Sequence, residues 1–325
     1  MTLPRIGVTV GDPAGIGPEI IIKAFSRPER LPAAEYRIYA PRSVLETEEK
    51  ALGIAPARGR AVFAEGREGR VSLVPGEEPR APFSKGAPSA EGGRLSFLYF
   101  KEAVEDAGKD RLESVVTAPI SKAAWSSAGV EWRGHTEYLD NLYPGAIMTF
   151  WSERLKVALF SHHLPLREAL DLVREKHLYD FFIRLRKGFR SAGLADAEFL
   201  LAGLNPHAGE GGVLGGEELS EILPAVRRAR REGMILSDPF PPDVVFRMAL
   251  DRPKTVAVAL HHDQGLIAFK LLAFETGVNA TLGLPFVRTS PDHGTAFDIA
   301  GRNAADPASL VEALRLAVRL TAASL

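Results

Sequence analysis

The chain has 325 residues, with 40 Lys and Arg against 41 Asp and Glu, 8 His and no Cys, giving a formal net charge of −1. At about 150 residues per domain this length suggests two domains or one large α/β unit, and 46% apolar with 25% charged residues is the balance of a globular chain with a sizeable core. Near-zero charge argues against a protein whose main work is neutralising nucleic-acid phosphates or lying on anionic lipid, and the lack of cysteine excludes disulfides, thiolate metal sites and a cysteine nucleophile, so any metal falls to His and carboxylate.

The first predicted strand is RIGVTV (5–10). No signal-peptide hydrophobic region precedes it, and no apolar run approaches the roughly 18 residues that span a bilayer, so no membrane is expected as a partner and the cytoplasm is the expected location. The glycine-rich loop GDPAGIGPE (11–19) follows and opens a helix over Pro18–Phe25, with Pro18 suited to a first helical position. Such a loop can direct amides toward an anion. It lacks both GxGxxG spacing and a P-loop Lys-Ser/Thr pair, so a tight strand-to-helix turn is the default reading. The segment Pro56–Gly92 is rich in Gly, Pro and charge and is read as a surface elaboration with little regular structure.

A helix over Arg94–Ala107 and a strand SVVTAP (114–119) come next, then His135-Thr136-Glu137 after Gly134. This tripeptide offers donors to an anion, and Thr136 could equally cap a helix over TEYLDNLY. Further strands are KVALFSHH (156–163), EFLLAGLNPH (198–207) and TVAVALHHD (255–263), with helices over Leu166–Glu175, Tyr179–Ala192, Ser220–Glu232 and Ser309–Ala323. The strand runs are nearly continuously apolar, as expected for strands covered on both faces, and the alternation reads as βα units around a mostly parallel sheet. Arg227, Arg228, Arg230 and Arg231 end a segment that begins with Glu217, Glu218 and Glu221. Acids first and bases last complement a helix dipole, so no nucleic-acid partner is read from them.

Three predicted strands end in histidine: His162 and His163, then His207, then His261 and His262. In an open parallel sheet, ligands bind beyond the carboxyl ends of the strands, so these side chains could converge. Neighbours on an extended strand point to opposite faces, so one member of each doublet should face a cleft. Three imidazoles suit Zn²⁺ or another borderline divalent ion, although separate local hydrogen bonds would explain them as well. Downstream, His262-Asp263-Gln264-Gly265 is followed by Lys270, Asn279 and Arg288 in otherwise apolar segments. A cation, an amide and a guanidinium in one crevice would serve a phosphate-bearing substrate, and taken singly the two cations would be ordinary surface charges.

GDPAGIGPE, TAPISK (117–122), GHTEYL (134–139), HLPL (163–166), NPHAGE (205–210), HDQGL (262–266) and GVNATLGLPFVRTSPDHGTA (277–296) together resemble the 4-hydroxythreonine-4-phosphate dehydrogenase family of pyridoxal phosphate biosynthesis. The matches run in order from residue 7 to about 301. The resemblance implies an α/β fold of the isocitrate/isopropylmalate dehydrogenase-like type, two α/β/α domains with mostly parallel sheets and the active site in the cleft between them. By analogy, residues 1–125 with 265–325 form the domain carrying both termini and the cofactor loop. Residues 126–264 form a central domain with metal ligands and the dimer interface. It further implies a divalent metal, Zn²⁺ first with Mg²⁺ or Co²⁺ as other candidates, on His163, His207 and His262. In the family these ligands come from two subunits, which implies a homodimer with shared sites. Substrate binding carries over to His135, Thr136, Lys270, Asn279 and Arg288.

HGTAFDIAGRNAADP (293–307) is similar to the adenosine-binding loop of the isocitrate and isopropylmalate dehydrogenases, which bind nicotinamide nucleotides without a Rossmann fingerprint. That similarity implies cofactor contacts at His293, Gly294 and Asp298, with NAD preferred over NADP because a 2′-phosphate would meet the acid. Asp306 stands where the wider group usually has Asn, and Ser237 and Asp238 precede Pro239 where the family more often has Gly before the Pro. The implied reaction oxidises the C3 alcohol of 4-phosphooxy-L-threonine with hydride transfer to NAD. The resulting β-keto acid, 2-amino-3-oxo-4-phosphooxybutanoate, then loses CO₂ to give 3-amino-2-oxopropyl phosphate. Lys270, Asp263 and Asp243 are the candidate bases. The competing readings are a paralogous dehydrogenase of 4-phospho-erythronate or threonate and, from another class, a phosphotransacetylase-like acyltransferase that needs neither the histidines nor NAD.

Overall fold

The computed structural model describes residues 3–54, 70–74 and 76–324. The part of the Pro56–Gly92 reading that falls on 56–69 and 75 lies outside them. The chain divides into two compact units, Met1–Pro144 with Leu284–Ala323, and Gly145–Gly283. The dividing points fall at 144/145 and 283/284, later along the chain than the 125/126 and 264/265 of the sequence reading.

The first unit begins with β1 (Arg5–Thr9), α1 (Gly17–Phe25), β2 (Glu35–Tyr39), α2 (Arg42–Leu52), β3 (Val71–Val74), α3 (Ala90–Gly108), β4 (Ser114–Thr117), α4 (Lys122–Ser127) and α5 (His135–Leu142). The chain then builds the second unit from β5 (Ile147–Trp151), β6 (Lys156–Leu159), α6 (Leu166–Asp171), α7 (Glu175–Ser191), β7 (Glu198–Leu201), α8 (Leu223–Arg231), α9 (Pro242–Ala249), β8 (Thr255–Ala259), α10 (His262–Ala273) and β9 (Val278–Leu282). It returns to the first unit for β10 (Val287–Pro291) and α11 (Ala308–Ser324).

Strands of the first unit run in the order β3-β2-β1-β4-β10, all parallel. From β1 the chain moves outward to β2 and then returns to β4 on the other side. The carboxyl ends of β1 and β4 are therefore a topological switch point, where open α/β sheets bind ligands. In the second unit the order is β9-β5-β6-β8-β7, with β5 antiparallel to both neighbours and β6, β8 and β7 parallel. The mostly parallel α/β architecture expected from the continuous apolar runs is present.

Local chemistry explains the helix ends. Ser89 caps α3 by accepting from Gly92 N at 3.0 Å, and Ser121 caps α4 by accepting from Ala124 N at 3.1 Å. A Cβ on Gly93 would lie 2.0 Å from the Ala124 carbonyl oxygen, so glycine lets α3 and α4 touch. Between them sits Trp125, fully buried among Leu95, Phe100 and Leu139, its indole donating to Ser96 Oγ at 2.8 Å.

Two predicted helices differ in instructive ways. The Leu166–Glu175 segment stops at Asp171, and Arg174 is extended before α7 begins. The Glu175 amide finds its acceptor in the remote carboxylate of Glu221 at 2.8 Å, a partner invisible to local pattern. Ahead of α8, Glu218–Ile222 form a turn of π-helix, which gives way to α-helix where Pro224, with no N–H to donate, enters. At the basic end of α8, Arg228 pairs with Glu175 at 3.1 Å over the Tyr179 ring, and Arg230 pairs with Asp238 at 2.9 Å. Among the described residues, no helix is long and apolar enough to cross a membrane.

Candidate active site

In the first unit, Arg288 of β10 lies beside Val115 of β4. Side chains alternate along a strand, so Arg288 shares a face with Val115 and with Thr117 two residues further on. The guanidinium is 4% exposed, and its Nη2 donates to Thr117 Oγ1 at 2.8 Å and to His135 Nδ1 at 3.3 Å. Burial pulls Arg288 down to about 10, leaving it charged near neutral pH. His135, the first residue of α5, is held neutral because burial, and secondarily the Arg288 charge, press its pKa well below the ordinary value. Arginine can only donate, so His135 Nδ1 accepts and the ring proton sits on Nε2, a buried donor with no hydrogen-bond partner among the described residues. The ring packs 4.3 Å from Phe100 and edge-on to Trp125 at 5.5 Å. A desolvated guanidinium costs several kcal/mol to bury, a cost that an anionic partner would offset through charge-assisted hydrogen bonds. Thr136 is the second, half-buried residue of α5, which is capped by Gly134, so the capping role open to Thr136 is not taken.

Four amides of the glycine-rich loop after β1 are taken by the protein's own acceptors. Asp12 N donates to Pro119 O, Ala14 N to Asp12 Oδ1, Gly15 N to Asp12 O and Ile16 N to Thr295 O. The strand-to-helix turn reading holds, and the last bond adds a role: the loop is the bed for the 293–307 segment. A Cβ on Gly15 would lie 2.8 Å from Thr295 O, and one on Gly86 2.9 Å from Phe297 O. On this bed Ala296 (φ 43°) and Asn303 (φ 56°) take left-handed conformations. Asp298 is exposed, and His293 Nδ1 donates to Gly294 O at 3.0 Å. Asp12 stands at the switch point, fully buried, its carboxyl pushed up to about 6 by burial and partly drawn back by Lys85.

In the second unit the strands stop short of the histidines: β6 ends at Leu159, β7 at Leu201 and β8 at Ala259. The strand-parity argument for the doublets therefore does not apply. Instead, His163 sits in a left-handed turn (φ 43°), while His261 caps α10 by accepting from Gln264 N, leaving His262 as the first helical residue. Gln264 fixes this turn, accepting from Leu260 N at 2.7 Å and donating to Gly203 O at 2.8 Å. Gly265 lets α10 approach β6, since a Cβ there would be 2.8 Å from Leu159.

The rings of His163 and His262 come within 5.8 Å, beside a cavity of about 170 Å³ lined by His162, His261, His262 and Asp263. His262 Nδ1 donates to Asp263 Oδ1 at 2.7 Å. That bond fixes the tautomer with the Nε2 lone pair outward, the usual arrangement behind a metal-binding imidazole. The donor chemistry of this pair fits a borderline divalent ion. His207 stands elsewhere, on a turn in which His207, Ala208, Gly209, Glu210 and Gly211 all have positive φ, with its side chain 69% exposed. The three non-glycine residues there cost about 1–2 kcal/mol each in left-handed backbone. Among the described residues of one chain, no three His, Asp or Glu assemble into a metal cluster.

The remaining candidates fall as follows. Lys270 is half-buried on α10 and Asn279 half-buried on β9 opposite Phe150. Asp243 and Asp263 are exposed, and the hydrogen bond from His262 holds Asp263 below the usual carboxylate range. Two residues central to this geometry were not singled out as site residues from sequence: Thr117 and Asp12. Thr117 was visible only as the opening of TAPISK at a strand end, and Asp12 only as part of a loop read through its glycines.

The family model for "Pyridoxal phosphate biosynthetic protein PdxA" matches residues 33–317. The chain belongs to the PdxA family. It is 40% identical over 316 residues to a 4-hydroxythreonine-4-phosphate dehydrogenase of Aquifex aeolicus, covering 96% of this chain and 97% of that one. It is 37% identical over 335 residues to a protein of Symbiobacterium thermophilum provisionally named D-threonate 4-phosphate dehydrogenase, covering 99% and 98%. Among solved structures, 4-hydroxythreonine-4-phosphate dehydrogenase from Klebsiella pneumoniae superposes with a TM-score of 0.85 at 36% identity, covering 98% of each chain. The PdxA assignment agrees with the motif resemblance.

Proposed function

We propose that this protein is a nicotinamide-dependent dehydrogenase of 4-hydroxythreonine 4-phosphate, acting in pyridoxal phosphate biosynthesis in the cytoplasm. The observation that carries the reading is the buried Arg288, His135 and Thr117 cluster in a chain of this family. A fully desolvated guanidinium flanked by a neutral imidazole suits the phosphate of the substrate, with Thr136, Lys270 and Asn279 as the further substrate-binding residues. Anchoring the phosphate supplies remote binding energy that orients the reacting carbon. Bound NAD would accept the hydride from C3, and the hydroxyl proton would pass to a base, for which Lys270 is the half-buried candidate and Asp243 and Asp263 the exposed ones. The β-keto acid product then loses CO₂.

NAD is assigned to the 293–307 segment, with His293, Gly294 and Asp298 in contact, and the exposed carboxylate of Asp298 disfavours the extra phosphate of NADP. A divalent metal, Zn²⁺ first, is assigned to His163, His207 and His262, completed by a second subunit. Held there, such an ion would supply Lewis acidity toward the substrate oxygen. Support for a homodimer comes from α10, which exposes Ile267 (63%), Leu271 (83%) and the adjoining Phe274 (71%) at helical spacing, an apolar stripe that a monomer would leave in water.

A second reading, a dehydrogenase of threonate or erythronate 4-phosphate, is favoured by the 37% identity to the Symbiobacterium thermophilum protein. The test is NADH formation with each phosphorylated substrate, before and after chelation with metal add-back. Turnover of 4-hydroxythreonine 4-phosphate that is lost on chelation and restored by metal is the expected result, and turnover of the sugar acid alone would replace the first reading by the second.

A further inference from the structure

The left-handed turn that carries His207 is held from beneath by Glu218, whose side chain is 2% exposed. Its Oε1 accepts from Leu204 N and from Asn205 N, each at 2.8 Å, and its Oε2 accepts from Asn205 Nδ2 at 2.9 Å. The same Asn205 amide donates to Glu217 Oε2 at 2.8 Å, and the Asn205 carbonyl accepts from Ala208 N at 3.1 Å, the bond that opens the turn. Further along the turn, a Cβ on Gly209 would lie 2.7 Å from Glu218 Oε2. One carboxylate thus touches both the start and the middle of the segment. Glu218 reaches it from the first residue of the π-helical turn before α8, a widened geometry often found at functional sites.

We propose that Glu218 is a positioning residue for His207: its buried carboxylate clamps residues 204–209 in the left-handed turn and so fixes where the imidazole projects. The proposal rests on the reading that His207 belongs to the active site. The physical logic is that three non-glycine residues in left-handed backbone drift back to ordinary conformations unless the surroundings over-determine them. A carboxylate is suited to that task because both oxygens only accept, and all the groups aimed at it are N–H donors. A glutamine would keep one accepting oxygen and place its own NH₂ against the NH₂ of Asn205.

The test uses three variants of the full-length protein: Glu218→Gln, Gly209→Ala, which pushes on the clamp from the turn side, and His207→Ala. Steady-state kinetics are combined with amide hydrogen exchange resolved over residues 203–214. Glu218→Gln is expected to lower kcat by about 10–100-fold, the range for residues that orient a ligating histidine, with KM for the phosphorylated substrate nearly unchanged because Arg288 still anchors it. Exchange should quicken by at least about tenfold at 204–212 and not in β5, β6 or β8. Gly209→Ala should reproduce both effects, which keeps the proposal testable if Glu218→Gln fails to fold. A wild-type kcat in Glu218→Gln, or unchanged exchange at 204–212, overturns the clamp. If that happens while His207→Ala is inactive, the clamp alone fails and the reading of His207 stands; a fully active His207→Ala overturns the reading of His207 itself, and with it the inference.

Discussion

The two candidate half-sites are built on opposite principles. The Arg288, His135 and Thr117 cluster rises from two adjacent parallel strands and a helix start, all fully buried, with ordinary backbone. The histidine set of the second unit places His163 and His207 on left-handed backbone with exposed side chains, and of His163, His207 and His262 the first and last bring their rings together while His207 stands apart. The first arrangement is preorganised for a fixed charge. In the second, the strained residues persist only where their surroundings hold them.

The sharpest way to break this contrast is Arg288→Met. If the buried cation serves the substrate and not the fold, kcat/KM falls by about 10²–10⁴, the usual cost of truncating a buried charge-assisted contact. Thermal stability should hold or rise, because an apolar side chain of similar reach removes a desolvation penalty. Steady-state kinetics with a melting curve check both, and a large loss of Tm would make Arg288 structural.

Asp12→Asn comes next. The folded chain raises this carboxyl from 3.8 to about 6, so the folded state binds its proton more tightly than the unfolded chain. The penalty is absent below about pH 4 and complete above about pH 6. The asparagine variant, which keeps the acceptor for Ala14 N, should therefore gain roughly 1–3 kcal/mol at pH 8 and nothing at pH 4 in denaturant titrations. An equal effect at both pH values would mean the burial penalty is offset, for instance by the α3 amino end beside it.

His135 has the opposite sign. Its folded pKa lies well below the ordinary 6.5, so the unfolded chain binds the extra proton first and stability falls as pH drops below about 6.5. Comparing the pH dependence of Tm in wild type and His135→Asn should show a shallower acid limb in the variant.

The smallest effect concerns the strained turn. Ala208→Gly removes a left-handed alanine (φ 52°) and should stabilise by up to about 1 kcal/mol, net of the extra freedom glycine gives the unfolded chain. A clear loss of stability would show that the alanine methyl, packed against Gly203, matters more than the backbone strain.

How much of this could be read from sequence depended on range. Strands buried on both faces, such as β1, β4 and β8, announce themselves as unbroken apolar runs, so the parallel α/β class was legible. Arg288 was legible as a charge in apolar company, and His135 as a candidate anion donor after Gly134. Helix α10 was hidden because its first residues, His261 to Asp263, read as the end of a strand, and the shift from strand to cap occurs within two residues. That same shift explains why the side chains of the doublets could not be assigned by strand alternation. The break before α7 and the turn at 205–212 depend on Glu221 and Glu218, carboxylates that act from a distant segment. No local periodicity encodes such partners.

The measurement that bears most directly on the central claim compares NADH formation from 4-hydroxythreonine 4-phosphate with that from 4-hydroxythreonine itself, in wild type and in Arg288→Met. A phosphate held by Arg288 predicts that wild type strongly prefers the phosphorylated alcohol and that the variant loses most of that preference. Equal turnover of both alcohols by wild type, or an undiminished preference in the variant, would contradict it.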